Sequence, residues 1–172
     1  RELVKRLIRR GYRRFASIRV FASVYSASRR LQGLVDELNA RQLPVSPELH
    51  RVIDDVPLPE QGRKQLREIL ALPEPPDAVL CSYDIIAMNV LDELKKLGRR
   101  VPEDIAVAGF GDTDYYSPLF ELTSVRQPMA EIGTPVVELN SEEMQGQFSA
   151  GAVNRELGCA PLEPSVQSHF SP

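Results

Sequence analysis

Three charged residues of this chain stand where a small polar molecule can be gripped: Arg30, Asp84 and Asp112. Arg30 lies in the first turns of an amphipathic segment that follows a strand-like run, so its guanidinium can reach the edge of a sheet. Its planar fork of donors suits a carboxylate or vicinal hydroxyls. Asp84 follows the apolar run Ala78 to Cys81 and opens a helical segment. A carboxylate there either accepts hydrogen bonds from ligand hydroxyls or caps the helix by satisfying the amides of residues 86 and 87. Asp112 falls just past a second apolar run, Ile105 to Phe110, and Tyr83 stands beside Asp84. In open parallel sheets the edge past the strand ends is where ligands bind.

Catalytic chemistry finds less support. Gly109-x-Gly111 has Asp114 where a third glycine would complete a dinucleotide fingerprint. There is no G-x-x-x-x-G-K loop and no G-x-S-x-G elbow. His50 and His169 are isolated, and neither has metal-ligand spacing with Cys81 or Cys159. The expectation is no enzyme, no metal and no cofactor.

The elements that must position these residues are legible from periodicity. Residues 2–10 predict a helix stopped by Gly11, and Phe15 to Phe21 a strand. Ser26 or Ser28 caps the next helix, whose apolar positions are Leu31, Leu34, Val35 and Leu38. Arg51 to Ile53 is a short strand. Pro57 and Pro59 open a helix through Leu66, Ile69 and Leu70, which Pro73 to Pro76 ends. In the next helix Ile85, Met88, Leu91 and Leu94 form a stripe that Ile86, Val90 and Leu97 widen, and Gly98 closes it. Strand and helix alternate, which predicts an α/β fold: a three-layer parallel sheet with helices on both faces. Beyond Gln127-Pro128 a helix is expected to start at Thr134 with Pro135 at its first position. Past Gly146 one strand is expected, at Val153 to Cys159.

Size and charge narrow the class. The 172 residues, 42% of them apolar, suffice for one domain with a core. No apolar run approaches the length of a bilayer-spanning helix. Cys81 and Cys159 are unpatterned and read as free thiols of a reducing compartment. Net charge is −3, yet the first thirty residues carry ten Arg or Lys against Glu2 alone. Without interleaved aromatics or a helix-turn-helix pattern, that cluster reads as a solvated surface before it reads as a phosphate-binding one.

The stretch from Asp77 to Pro128 also resembles a family. A strand, Asp84, Ala87-Met88, a helix ending in Leu97-Gly98, then Arg100-Val101-Pro102-Glu103-Asp104, an apolar strand, Gly109-Phe110 and Leu122-Thr123-Ser124-Val125-Arg126-Gln127-Pro128 together resemble the lactose-repressor (LacI/GalR) family of bacterial transcription regulators. Leu7-Ile8-Arg9-Arg10-Gly11-Tyr12 and Arg30-Leu31-Gln32-Gly33-Leu34 match it in the same order. The resemblance implies a periplasmic-binding-protein-like type I subdomain. Residues 1–128 would be the C-terminal effector-binding and dimerisation subdomain. Residues 129–146 would be a helix belonging to an N-terminal subdomain absent from this chain, and 147–172 a tail. It implies that Arg30 contacts the effector, and that Ser26, Asp84 and Gln127 stand at positions that touch ligand or line the cleft. Tyr83 stands where many members have Asn, suggesting an aromatic platform or an altered effector. Members place an acidic residue right after the aromatic of Gly-Phe. Here Gly111 holds that place and Asp112 follows.

The expected partners are a small-molecule effector (sugar, sugar acid or nucleobase), a second copy of the chain paired through the Asp84–Leu97 helix, and operator DNA through a helix-turn-helix domain outside this chain. The expected compartment is the cytoplasm. A solute-binding protein of the same architecture is the alternative; a secretory signal upstream would favour it.

Overall fold

A computed structural model describes residues 1–21, 25–53, 58–111, 122–127 and 166–167. Asp112, the helix expected from Thr134, the strand expected at 153–159, Cys159 and His169 lie outside the described residues. Two compact units divide the chain, Arg1–Arg126 with Ser165–Pro172, and Gln127–Pro164. All the elements below belong to the first.

Helix α1 (Glu2–Arg9) precedes β1 (Phe15–Val20), α2 (Tyr25–Ala40), a 3-10 turn at Pro47–Leu49, β2 (His50–Ile53), α3 (Leu58–Leu70), β3 (Ala78–Cys81), α4 (Asp84–Lys96), β4 (Ala106–Gly111), β5 (Thr123–Arg126) and β6 (Val166–Gln167). The six strands form one sheet in the order β2-β1-β3-β4-β5-β6. The first five are parallel and β6 runs antiparallel to β5. The expected α/β architecture is therefore present, with two strands that sequence periodicity does not flag, β5 and β6. Strand β6 has only two residues, and β5, Thr-Ser-Val-Arg, contains no apolar run to mark it.

Strand alternation builds two cores. Ala16, Ile18 and Val20 of β1 join Val79, Cys81 and Val107 against Leu66 and Ile69 of α3 and Ile86, Ala87, Val90 and Leu94 of α4. On the opposite face Phe15, Ala78 and Ala106 meet Val4, Leu7 and Ile8 of α1 and Leu34 and Leu38 of α2. Each large aliphatic side chain so buried stabilises the fold by about 1.5–3 kcal/mol.

Several boundaries differ from the periodicity reading. Helix α2 begins at Tyr25, so Ser26 and Ser28 both lie inside its first turn and neither precedes it as a cap. In α4 the buried line is Ile86, Ala87, Val90 and Leu94, while Ile85 and Leu97 are exposed. The wide stripe read from the sequence is thus split between core and solvent. Gly98, at φ +68°, ends α4 as expected, and the Arg99 amide returns to the Leu94 carbonyl at 2.9 Å. Asp77 fixes the entry to the sheet: its carboxylate accepts the Arg13 and Arg14 amides at 2.7 and 2.9 Å.

The basic start of the chain is largely paired. Arg14 meets Glu74 at 2.8 Å, Arg1 meets the buried Glu37 at 3.3 Å, and Arg13 donates to the Ile8 carbonyl at 2.7 Å. These local bonds suit the solvated-surface reading of the cluster.

Candidate ligand-binding site

The chain leaves β1 toward β2 on one side of it and leaves β3 toward β4 on the other. Strand order therefore reverses between β1 and β3, which opens a crevice at their C-terminal ends in folds of this kind. Two bonds close the strand ends there. The Ser82 amide donates to the Ile18 carbonyl at 3.0 Å, and the Val20 amide donates to the Ser82 hydroxyl at 3.2 Å.

Arg30 is brought to this point by α2. Its Nη1 donates to the Ser82 carbonyl. Its guanidinium carbon lies over two aromatic rings, 3.7 Å from the Phe110 centroid and 4.9 Å from that of Tyr83. One side chain thus links the helix after β1, the end of β3 and the end of β4. Burial depresses the Arg30 pKa, opposed by the charge of Tyr83, a hydrogen bond with Tyr83 and the charge of Asp84. Cation–π contacts replace part of the hydration that burial removes.

Asp84 sits deeper. Its residue is 4% exposed, and its Oδ1 accepts the Ser124 hydroxyl at 2.6 Å. It is the first helical residue of α4. Tyr83 takes the N-cap position and makes no side-chain cap hydrogen bond. The capping role open to Asp84 in the sequence is not realised, because its carboxylate turns across the sheet to β5. Glycines make that possible. A Cβ on Gly109 would stand 2.2 Å from Asp84 Oδ1, and one on Gly111 would stand 3.1 Å from Oδ2. Gly111 also has φ +137°, which disfavours any other residue. Asp84 Oδ2 is buried without a hydrogen-bond partner among the described residues.

Arg30 and Tyr83 therefore share one edge, with Asp84 beneath it. Ser26 is exposed in the first turn of α2. Gln127 is partly buried and belongs to the second unit. Sequence reasoning did not single out Ser82 and Ser124. Ser82 acts through its hydroxyl, amide and carbonyl on partners distant in sequence, and Ser124 lies on a strand without an apolar run. Phe110 was visible only as part of a motif; its flanking glycines were the available signal.

A second polar group lies on the α1–α2 face. Ser17 Oγ is 3.1 Å from His50 Nδ1, and Arg19 Nη1 donates to Ser28 Oγ at 3.5 Å. Burial lowers the His50 pKa, and Arg19 lowers it further, against a smaller opposing effect of Glu48. Burial pushes the Cys81 thiol up, so it stays protonated. Among the described residues no three His, Cys, Asp or Glu side chains are grouped to hold a metal ion. No helix among them is long and apolar enough to cross a membrane.

Sequence comparison decides the family. The periplasmic binding protein-like domain matches residues 4–159. The chain belongs to that family. Its relatives within it are LacI-family repressors. The HTH-type transcriptional repressor CytR of Escherichia coli (strain K12) is 33% identical over 161 residues, 92% of this chain and 46% of the relative. The probable HTH-type transcriptional repressor ExuR of Bacillus subtilis (strain 168) is 32% identical over 134 residues, 76% of this chain and 39% of the relative. Among solved structures, a transcriptional regulator CelR–cellobiose complex superposes with a TM-score of 0.73 at 31% identity, over 85% of this chain and 44% of that one. A regulatory protein of LacI family from Chloroflexus aggregans gives 0.76 at 29% identity, over 87% and 53%. The periplasmic binding protein-like chain thus spans about half the length of the relatives it matches, or less.

Proposed function

We propose that this chain is the effector-sensing and dimerising part of a bacterial DNA-binding transcription regulator. The observation that carries the reading is Arg30, held by the Ser82 carbonyl and two aromatic rings at the reversal of strand order. A fixed guanidinium at that edge is a recognition group in waiting, and it loses no rotamer freedom on binding. Arg30 and Tyr83 contact the effector, with Asp84 setting the floor on which β4 rests. Ser26, Asp112 and Gln127 are the further residues assigned to effector contact. Residues 1–128 carry it, and 129–146 belong with a partner subdomain. An effector that prefers one closure of the two subdomains shifts the population that the operator reads. Operator contact itself belongs to a helix-turn-helix segment outside these residues. The chain works in the cytoplasm, carries out no catalysis, and pairs with a second copy through α4, whose Ile85 and Leu97 remain exposed at 37% and 47%.

The test is a thermal-shift panel of sugars, sugar acids and nucleobases on the 172-residue chain. Stabilisation by one class, lost in Arg30→Ala but kept in Arg29→Ala, supports the reading. A panel without any shift, or an equal shift in the Arg30 variant, removes it. Sedimentation of the chain and of an Ile85→Glu, Leu97→Glu variant tests the pairing.

A further inference from the structure

We propose that the effector carries a carboxylate, taken in the plane of the Arg30 guanidinium; this rests on the sensor reading above and narrows it to small organic acids such as sugar acids. The surroundings of Arg30 decide which ligand group it can accept. The cation lies over the faces of Phe110 and Tyr83, so those sides are filled by aromatic carbon. One donor goes to the Ser82 carbonyl and another bonds the Tyr83 side chain. Arginine has five N–H donors in a planar fork, so further donors remain along the edge for an incoming group.

Charge favours an anion there. No carboxylate of the described residues makes an ion pair with Arg30, although it is partly buried. Asp84 is close enough to act on it through space, but its Oδ1 accepts from Ser124 and its carboxylate lies under Gly109 and Gly111. A partly desolvated cation that no carboxylate of the described residues contacts directly is an unfavourable arrangement that a bound anion relieves. Hydrogen bonds between ionised partners are roughly twice as strong as neutral ones, so a carboxylate gains more than a sugar hydroxyl at the same place.

Shape separates a carboxylate from a phosphate. A carboxylate is flat and can lie in the guanidinium plane. A phosphate is tetrahedral, and its extra oxygens point out of that plane toward the ring faces. Those faces carry the negative part of the aromatic quadrupole and repel anionic oxygen.

The experiment titrates the isotope-labelled 172-residue chain with matched probes and follows the Arg30 Nε–H resonance, assigned by its loss in Arg30→Lys. The probes are galacturonate against galactose, glucuronate against glucose, and galactose 1-phosphate. The expected result is that at least one acid moves the resonance at a concentration at least about tenfold below its neutral partner and the phosphate. Arg30→Lys, which keeps the charge but not the fork, should reduce that preference while circular dichroism stays unchanged. Should the lysine variant not fold, Phe110→Leu keeps Arg30 and is expected to weaken the same preference. If neutral sugars or the phosphate act as well as the acids, the carboxylate assignment is overturned and the sensor reading stands. If none of the probes moves any resonance of the site, the carboxylate assignment is overturned, and the sensor reading falls with it if the nucleobases of the thermal-shift panel also give no shift.

Discussion

The two faces of the sheet solve different problems. On the side of α3 and α4, Ala16, Ile18, Val20, Val79, Cys81 and Val107 present apolar groups along β1, β3 and the start of β4. On the side of α1 and α2 the apolar cover ends partway. Phe15 is core, but Ser17 and Arg19 follow it on the same face, with His50 beside Ser17 and Ser28 above Arg19. Polar groups gather where β1 approaches its C-terminal end, near the helix that delivers Arg30. Both faces carry a core, and the face of α1 and α2 gives up apolar packing along β1 toward the edge where recognition is proposed. The difference teaches that an otherwise apolar strand is interrupted by polar groups next to the edge where recognition is proposed.

The largest test of that contrast is Ile18→Ala. Ile18 is fully buried, so its truncation should cost about 2–5 kcal/mol in denaturant unfolding. The neighbouring Ser17→Ala, on the polar side, should cost about 1 kcal/mol. Equal losses at both positions would erase the distinction between the faces.

Gly109→Ala probes the floor of the site. Its new Cβ would collide with Asp84 Oδ1, and overpacking of this kind costs about 1–3 kcal/mol. Asp84→Ala removes the obstacle, so the double variant should be more stable than the sum of the two single losses implies. Strict additivity would mean that Asp84 is not what Gly109 accommodates.

The polar face should also respond to pH. Burial, and then Arg19, hold the His50 pKa below its ordinary value. The unfolded chain therefore takes up a proton first as pH falls, and stability is lost with it. His50 supports the fold fully above its unfolded pKa of about 6.5, and that support disappears as pH drops through the lower folded value. Thermal midpoints should fall over this window in the native chain and fall less in His50→Gln. The groups facing the ring are Ser17, Arg19 and Glu48.

The smallest effect belongs to neither face. Asp104 is held down at about 2 by side-chain and backbone hydrogen bonds from Arg100. Its contribution is present above the usual carboxylate range and is lost as pH falls toward 2. Because the pair is solvated, Asp104→Asn should leave the midpoint at neutral pH nearly unchanged. Carboxyl titration by NMR should show the low value rise part of the way toward the ordinary range in Arg100→Ala, since the amide of residue 100 still donates to Asp104.

Much of the scaffold was legible beforehand because periodicity reports burial. The helix from Glu2, the strand from Phe15 and the helix ended by Gly98 all announce themselves through spacing and stop signals. Strand β5 escaped because Thr-Ser-Val-Arg holds no apolar run of the kind that marks Ala78–Cys81, and Ser124 escaped with it. Arg30 was legible from its place after a strand. Its partners were not, since they come from the ends of β3 and β4, some fifty and eighty positions further along.

By itself the sequence determined the alternation of helix and strand, the family wording from Asp77 to Pro128, and the residue types available at the strand ends. These follow from local spacing and side-chain chemistry, which any short window of chain contains. Only the tertiary structure decided that Asp84 bonds Ser124 instead of capping its helix, that Gly109 and Gly111 make room for it, and that Phe110 and Tyr83 lie against the Arg30 cation. The physical reason is the parallel sheet: it places the ends of strands far apart in sequence within hydrogen-bonding distance, and no local pattern encodes that meeting.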